Sequence, residues 1–165
     1  MYESNSVEDT IAFAIKMAIN AKPGDIICLC GPLGAGKTVF AQGYAKGLGV
    51  SDYVNSPTFT LMQVYDTGRL PLYHFDLYRL LGHNQIDPGE IDLDTLDDIG
   101  FLEYLDGDGV CLIEWAEYGR NMVPDGAYWV EISRKDENGI DGDGKEKDGK
   151  DKGEMEKRTI YVHRL

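Results

Sequence analysis

The stretch from Gly31 to Thr38, GPLGAGKT, constrains this chain more than any other part of it. Gly31, Gly36, Lys37 and Thr38 meet the pattern G-x-x-x-x-G-K-[ST], with an extra glycine at Gly34. Glycines let the backbone curl until successive N–H groups converge on a phosphate, and a helix starting at the end of the loop adds the positive pole of its dipole. Such a pattern is informative only in context, and the context is met on both sides. Asp25 to Cys30 is a short apolar run suited to a buried strand, and Lys37 to Leu48 has helical spacing that closes at Gly49. Strand, phosphate loop and helix in that order predict an α/β fold, a P-loop NTPase-like three-layer sandwich with a mixed central sheet flanked by helices.

The rest of the chain supplies the other elements. Ser6, with Asp9 three residues on, resembles a helix start, and the apolar residues Val7, Ile11, Ala14, Ile15 and Ala18 predict a helix over 7–20. Two β-rich runs, Thr58 to Tyr65 and Leu70 to Leu77, flank the turn residues 66–69 and predict an antiparallel hairpin. Leu80 to Leu105 is acidic and partly helical in pattern, interrupted by Pro88-Gly89. Val110 to Glu114 reads as a second buried strand, and Tyr128 to Ser133 with Arg158 to His163 as a terminal strand pair. Between that pair, residues 135–157 are almost entirely Gly, Asp, Glu and Lys, too polar to offset their ordering entropy by burial, which predicts a flexible loop. At 165 residues, 1–165 is expected to form a single domain.

Bulk properties narrow the function classes. A net charge of −13 disfavours a surface that grips nucleic acid by itself, so any link to nucleic acid is expected to be indirect. Acidic residues crowd between Asp87 and Asp108 with no Lys or Arg among them, as a solvated face or as a docking surface for a basic partner. No run is long and apolar enough to cross a bilayer and the N-terminus does not resemble a secretory signal, so the expectation is a cytoplasmic protein without membrane contact. Cys28, Cys30 and Cys111 sit inside apolar runs, as buried thiols in a reducing compartment do.

The loop chemistry calls for further residues. Lys37 is of the type that reaches β- and γ-phosphate oxygens, and the Thr38 hydroxyl is placed for Mg²⁺. Mg²⁺ takes oxygen ligands and needs a second anchor, commonly a carboxylate ending a neighbouring strand. Two carboxylates end apolar runs, Asp76 after PLYHF and Glu114 after VCLI. One would hold the metal shell and the other would hold or activate the attacking water; the structural alternative for each is a pairing with a nearby arginine such as Arg79. Asn55, Ser56, Pro57 and Thr58 form a stiffened hydroxyl-bearing loop ahead of the hairpin, either an ordinary turn or an analogue of the switch threonine of small GTPases. No Asn-Lys-x-Asp element for reading guanine exists, and the D-x-x-G at Asp97 to Gly100 lies in an acidic helical stretch, so ATP is the expected nucleotide.

Four blocks, GPLGAGKT, NSPTFTLMQVY, LYHFDLYRL and LIEWAE, resemble in order and approximate spacing the bacterial tRNA threonylcarbamoyladenosine biosynthesis ATPases of the TsaE (formerly YjeE) family. The resemblance runs from about Asp25 to Glu117. It implies an ATPase working with the TsaB–TsaD complex, which transfers threonylcarbamoyl to the adenosine 3′ of the anticodon in tRNAs reading codons that start with A; tRNA is then contacted only through that complex. It implies ATP and Mg²⁺ as cofactors, with Gly34, Ala35, Gly36, Lys37, Thr38 and Val39 around the phosphates and Thr38 and Glu114 on the metal. Asp76 is the matched catalytic or water-positioning acid, Thr58 belongs to the switch-like element, Trp115 matches the tryptophan after the metal-binding glutamate, and Thr10 aligns with a position near the adenine. The polar segment 135–157 departs from the family by lengthening a terminal hairpin, so contacts made there are not carried over. Alone, a monomer or weak dimer is expected.

A small-molecule P-loop kinase is the alternative. Such kinases close an arginine-rich lid over the transferred phosphate, whereas arginines here are scattered along the sequence. A non-catalytic scaffold is disfavoured by Lys37, Thr38, Asp76 and Glu114. Arg79 is the one candidate for an internal charge-stabilising arginine, and low basal turnover is expected.

Overall fold

The computed structural model describes residues 1–81, 91, 96–134 and 157–165. The interruption at Pro88-Gly89 and the polar segment up to residue 156 lie outside these residues.

The order of events follows the sequence closely. Strand β1 (Tyr2–Ser4) leads into helix α1 (Val7–Ala18), whose first turn is capped by the Ser6 hydroxyl accepting the Asp9 N–H at 3.0 Å. Strand β2 (Ile26–Cys30) ends at the phosphate loop, and helix α2 (Lys37–Leu48) begins there and stops at Gly49, which takes the left-handed conformation. Strands β3 (Met62–Tyr65) and β4 (Leu72–Asp76) form the hairpin. A 3₁₀ turn (Tyr78–Leu81), helix α3 (Phe101–Leu105), strand β5 (Val110–Glu114), a second 3₁₀ segment (Ala116–Met122) and strands β6 (Tyr128–Arg134) and β7 (Arg158–Arg164) follow.

Among the described residues the strands make one seven-stranded sheet in the order β1-β7-β6-β2-β5-β4-β3. The inner strands β6, β2, β5 and β4 are parallel, while β7, β1 and β3 add antiparallel edges. Side chains of a strand alternate between faces. Ile27 and Leu29 of β2 therefore pack with α1 and α2, while Ile26, Cys28 and Cys30 pack with Phe101 and Leu105 of α3 and with Ala116 and Met122. Helices thus cover both faces of a mixed sheet, the expected three layers. The three cysteines are buried and unpaired, and burial raises all three thiols, Cys111 to about 12. No helix among the described residues is long and apolar enough to cross a membrane.

Two elements differ from the sequence reading. The first hairpin strand begins at Met62, because Thr58 to Leu61 are diverted into a turn closed by the Leu61 N–H on the Pro57 carbonyl at 2.7 Å. Strand β1 was not expected: three residues are too few to show a period, and it is held by pairing with β7.

The layer beneath the phosphate loop is tight because α2 presents glycines to α1. A Cβ on Gly47 would lie 2.7 Å from both the Ala18 Cβ and the Ile15 carbonyl oxygen. Overpacking of this kind costs about 1–3 kcal/mol, partly offset by roughly 1 kcal/mol of better helix propensity. Gly47→Ala is expected to lower the thermal midpoint by about 5 °C, read by circular dichroism. An unchanged midpoint would show that α1 can slide at no cost.

Candidate functional site

Because β2, β4 and β5 are parallel, their C-terminal ends meet at one edge of the sheet, where ligands of open α/β folds bind. The phosphate loop leaves β2 there, Asp76 ends β4 and Glu114 ends β5, and the two carboxylate residues are direct register partners. A cleft of about 590 Å³ opens at this edge, within the range of small-ligand sites. It is lined by Gly34, Ala35, Gly36, Lys37, Thr38 and Val39, by Ser56, Thr58, Asp76 and Glu114, and by Trp115.

The polar contacts divide into two sets. Thr38 Oγ1 donates to Glu114 Oε2 at 3.1 Å, placing a hydroxyl and a carboxylate oxygen side by side at the start of α2. Asp76 Oδ2 accepts from Thr58 Oγ1 at 2.7 Å and, at very short range, from the Ser56 hydroxyl, and its Oδ1 accepts the Tyr78 N–H at 2.9 Å. The hydroxyl loop is thereby pinned to the end of β4. Asp76 and Glu114 are 1% and 2% exposed, so these oxygens act in a medium poorer in water than the surface, where each charge contact is stronger.

Lys37 is 5% exposed. Its Nζ donates to the Gly31 and Pro32 carbonyls at 2.6 and 3.0 Å and lies 3.5 Å from the centre of the Trp115 ring. Burial lowers its pKa, opposed by the carboxylates of Glu117, Glu114 and Asp76. An anion such as a phosphate beside it favours the charged form. Trp115 holds a positive φ of 61°, a costly conformation for a bulky residue, which turns the chain sharply after Glu114 and lays the indole against Lys37 and Tyr78.

Arg79 does not reach the cleft, its guanidinium donating to the Phe59 carbonyl instead. The arginines at the site are Arg134 and Arg158, which end β6 and begin β7 and so lie at the same edge. Arg134 Nε donates to the Gly34 carbonyl at 2.9 Å and Arg158 Nε to the Ala35 carbonyl at 3.1 Å, backing the loop from the sheet side. Arginines scattered in sequence are thus gathered in space. The signal for them was their position at the two roots of the polar segment. Ser56 was also missed as a partner of Asp76. Thr10 is fully buried and bonded to Ser4 Oγ at 2.8 Å, one turn of α1 beyond Val7, which lines the cleft.

The oxygens of Thr38 and Glu114 suit a hard cation such as Mg²⁺. Among the described residues no group of three or more His, Cys, Asp or Glu could hold a metal ion.

The family model "Threonylcarbamoyl adenosine biosynthesis protein TsaE" matches residues 4–142. This chain belongs to the TsaE family. It is 45% identical over 127 residues to the Bacillus subtilis tRNA threonylcarbamoyladenosine biosynthesis protein TsaE, covering 77% of this chain and 73% of that protein. It is 42% identical over 130 residues to the Treponema pallidum protein of the same name, covering 79% and 87%. The crystal structure of Bacillus subtilis YdiB superposes with a TM-score of 0.69 at 34% identity, covering 99% of this chain and 84% of that one. The TsaE match contains the whole phosphate loop, Thr58, Asp76, Glu114 and Arg134, whereas Arg158 lies beyond it. Membership of the TsaE family places the chain in tRNA threonylcarbamoyladenosine biosynthesis.

Proposed function

We propose that this chain is a Mg²⁺-dependent ATPase that supports threonylcarbamoyl transfer to the adenosine 3′ of the anticodon, acting with the TsaB–TsaD complex and meeting tRNA only through it. The observation that carries the reading is the meeting of Thr38, Glu114, Asp76 and Thr58 at the edge where the phosphate loop leaves the sheet. A scaffold that merely held a nucleotide would need the loop but not two buried carboxylates beside it.

Gly34 to Val39 hold the phosphates through backbone N–H groups and the start of α2. Thr38 and Glu114 would hold Mg²⁺, which supplies charge neutralisation at the β- and γ-phosphate oxygens. Lys37 contributes a further positive charge. Asp76 orients the attacking water and accepts its proton as the water oxygen bonds to the γ-phosphorus and the bridge to the β-phosphate breaks. Ser56 and Thr58 fix the Asp76 carboxylate, so a shift of their loop shifts the acid. Arg134 and Arg158 fix the Gly34 and Ala35 carbonyls and so the course of the loop.

The test is phosphate release from ATP and Mg²⁺ by the purified protein, alone and with the TsaB–TsaD pair. Slow hydrolysis that rises with the pair is expected. Transfer of phosphate to a metabolite at rates far above hydrolysis would overturn the reading in favour of a kinase.

A further inference from the structure

One buried group beside the cleft has no part in the chemistry above. His74 is fully buried on β4, and strand alternation puts it on the same face as Leu72 and Asp76. Its Nε2 lies 3.0 Å from Glu114 Oε1. Its Nδ1 is buried with no hydrogen-bond partner among the described residues. An ionised carboxylate can only accept, so the ring donates Nε2–H to it. The other Glu114 oxygen, Oε2, takes the Thr38 hydroxyl. The two oxygens therefore have separate duties: one is tied to the interior and one faces the cleft.

We propose that His74 is a positioning residue that confines Glu114 to ligation through a single oxygen and thereby makes the site prefer Mg²⁺ to Ca²⁺. This rests on the Mg²⁺ and ATP reading of the same cleft. Mg²⁺ is small and takes single oxygens in near-octahedral array, whereas the larger Ca²⁺ accepts more ligands and readily takes both oxygens of one carboxylate. An oxygen already holding a buried N–H is a poor second ligand. Removing that N–H frees Oε1 and unfixes the carboxylate plane. Loss of a partner that orients a ligand commonly costs 10- to 100-fold in metal affinity. Among the described residues Glu114 is the one hydrogen-bond partner that the ring orients.

The experiment follows binding of a non-hydrolysable ATP analogue by calorimetry while Mg²⁺ or Ca²⁺ is titrated, so no turnover is needed. His74→Leu is expected to need about tenfold more Mg²⁺ for half-maximal binding and to lose about tenfold of its Mg²⁺-over-Ca²⁺ preference. His74→Gln, whose amide can donate from near the Nε2 position, is expected to stay within about threefold of wild type. If His74→Leu does not fold, His74→Asn, polar but too short to reach Oε1, replaces it with the same expected result. A folded Leu or Asn variant with wild-type metal requirement and preference would overturn the proposal, as would equal damage in the Gln variant, which would mark the ring as packing. A wild-type protein that binds the analogue without any dependence on metal would instead remove the underlying reading, and that failure is visible before any variant is made.

Discussion

In saturating ATP and Mg²⁺, a Glu114→Ala protein is expected to release phosphate at least about a hundredfold more slowly than wild type, the equivalent of roughly 3 kcal/mol of transition-state stabilisation. Two losses follow from the substitution, one of rate and one of stability. The carboxylate oxygen that stands beside the Thr38 hydroxyl disappears, and with it one of the two protein oxygens available to a metal. His74 then has no hydrogen-bond partner among the described residues on either nitrogen, which adds about 1–3 kcal/mol of instability that a melting curve would report separately. Glu114→Gln separates the effects: its amide oxygen can still accept from His74 and its NH₂ can donate to a reoriented Thr38 hydroxyl while the charge is deleted, so it should melt near the wild type yet remain slow. If Glu114→Ala turned over within about threefold of wild type, the metal role given to this residue would be wrong, although the ATPase reading could stand on Asp76 and Lys37.

The second large effect is expected at Gly31, the first residue of the phosphate loop. A Cβ built there sits 2.1 Å from the Ile132 carbonyl oxygen of β6, and the residue holds a φ of 135° that side chains rarely adopt. Neither conflict can be relieved by rotating a side chain, because the obstacle is backbone in a strand paired on both sides. Overpacking and conformational strain each cost about 1–3 kcal/mol. Gly31→Ala should therefore lose about 4 kcal/mol and melt about 10 °C lower, with nucleotide binding weakened as well because the loop must move to fit. Gly49→Ala is the control: its φ of 81° is also left-handed, but nothing lies within 4 Å, so only the cost of conformation, about 1 kcal/mol, should appear. Equal midpoints for the two variants would show that the approach of β6 to the loop does not matter.

What could be read in the sequence was whatever local periodicity and strand ends encode. The loop between β2 and α2, and the acids Asp76 and Glu114, were legible because a polar residue closing an apolar run marks the end of a buried strand, and parallel strands bring such ends together. His74 was not legible, since a histidine inside a strand says nothing of the carboxylate one strand away that it meets. Arg134 and Arg158 were hidden for a related reason: their meeting depends on the register of β6 against β7, a pairing closed over a long connection. Local hydrogen bonding defeated the strand reading at Thr58, whose hydroxyl goes to Asp76 while Pro57 closes a turn. The partners of Thr10 were not legible either: its hydroxyl bonds to Ser4 and to the Ser6 carbonyl inside the protein.

The register of the terminal strands has a practical side. Arg134 and Arg158 are opposite each other as the last pair of β6 and β7, and both reach the loop carbonyls from that point. Both line the cleft, so the described lengths of β6 and β7 meet at its rim. The entropy of closing such a connection grows only logarithmically with its length. Nature and the protein engineer alike therefore have a splice point here, where foreign sequence, a tether or a reporter can be set beside the cleft without rewriting the sheet that builds it.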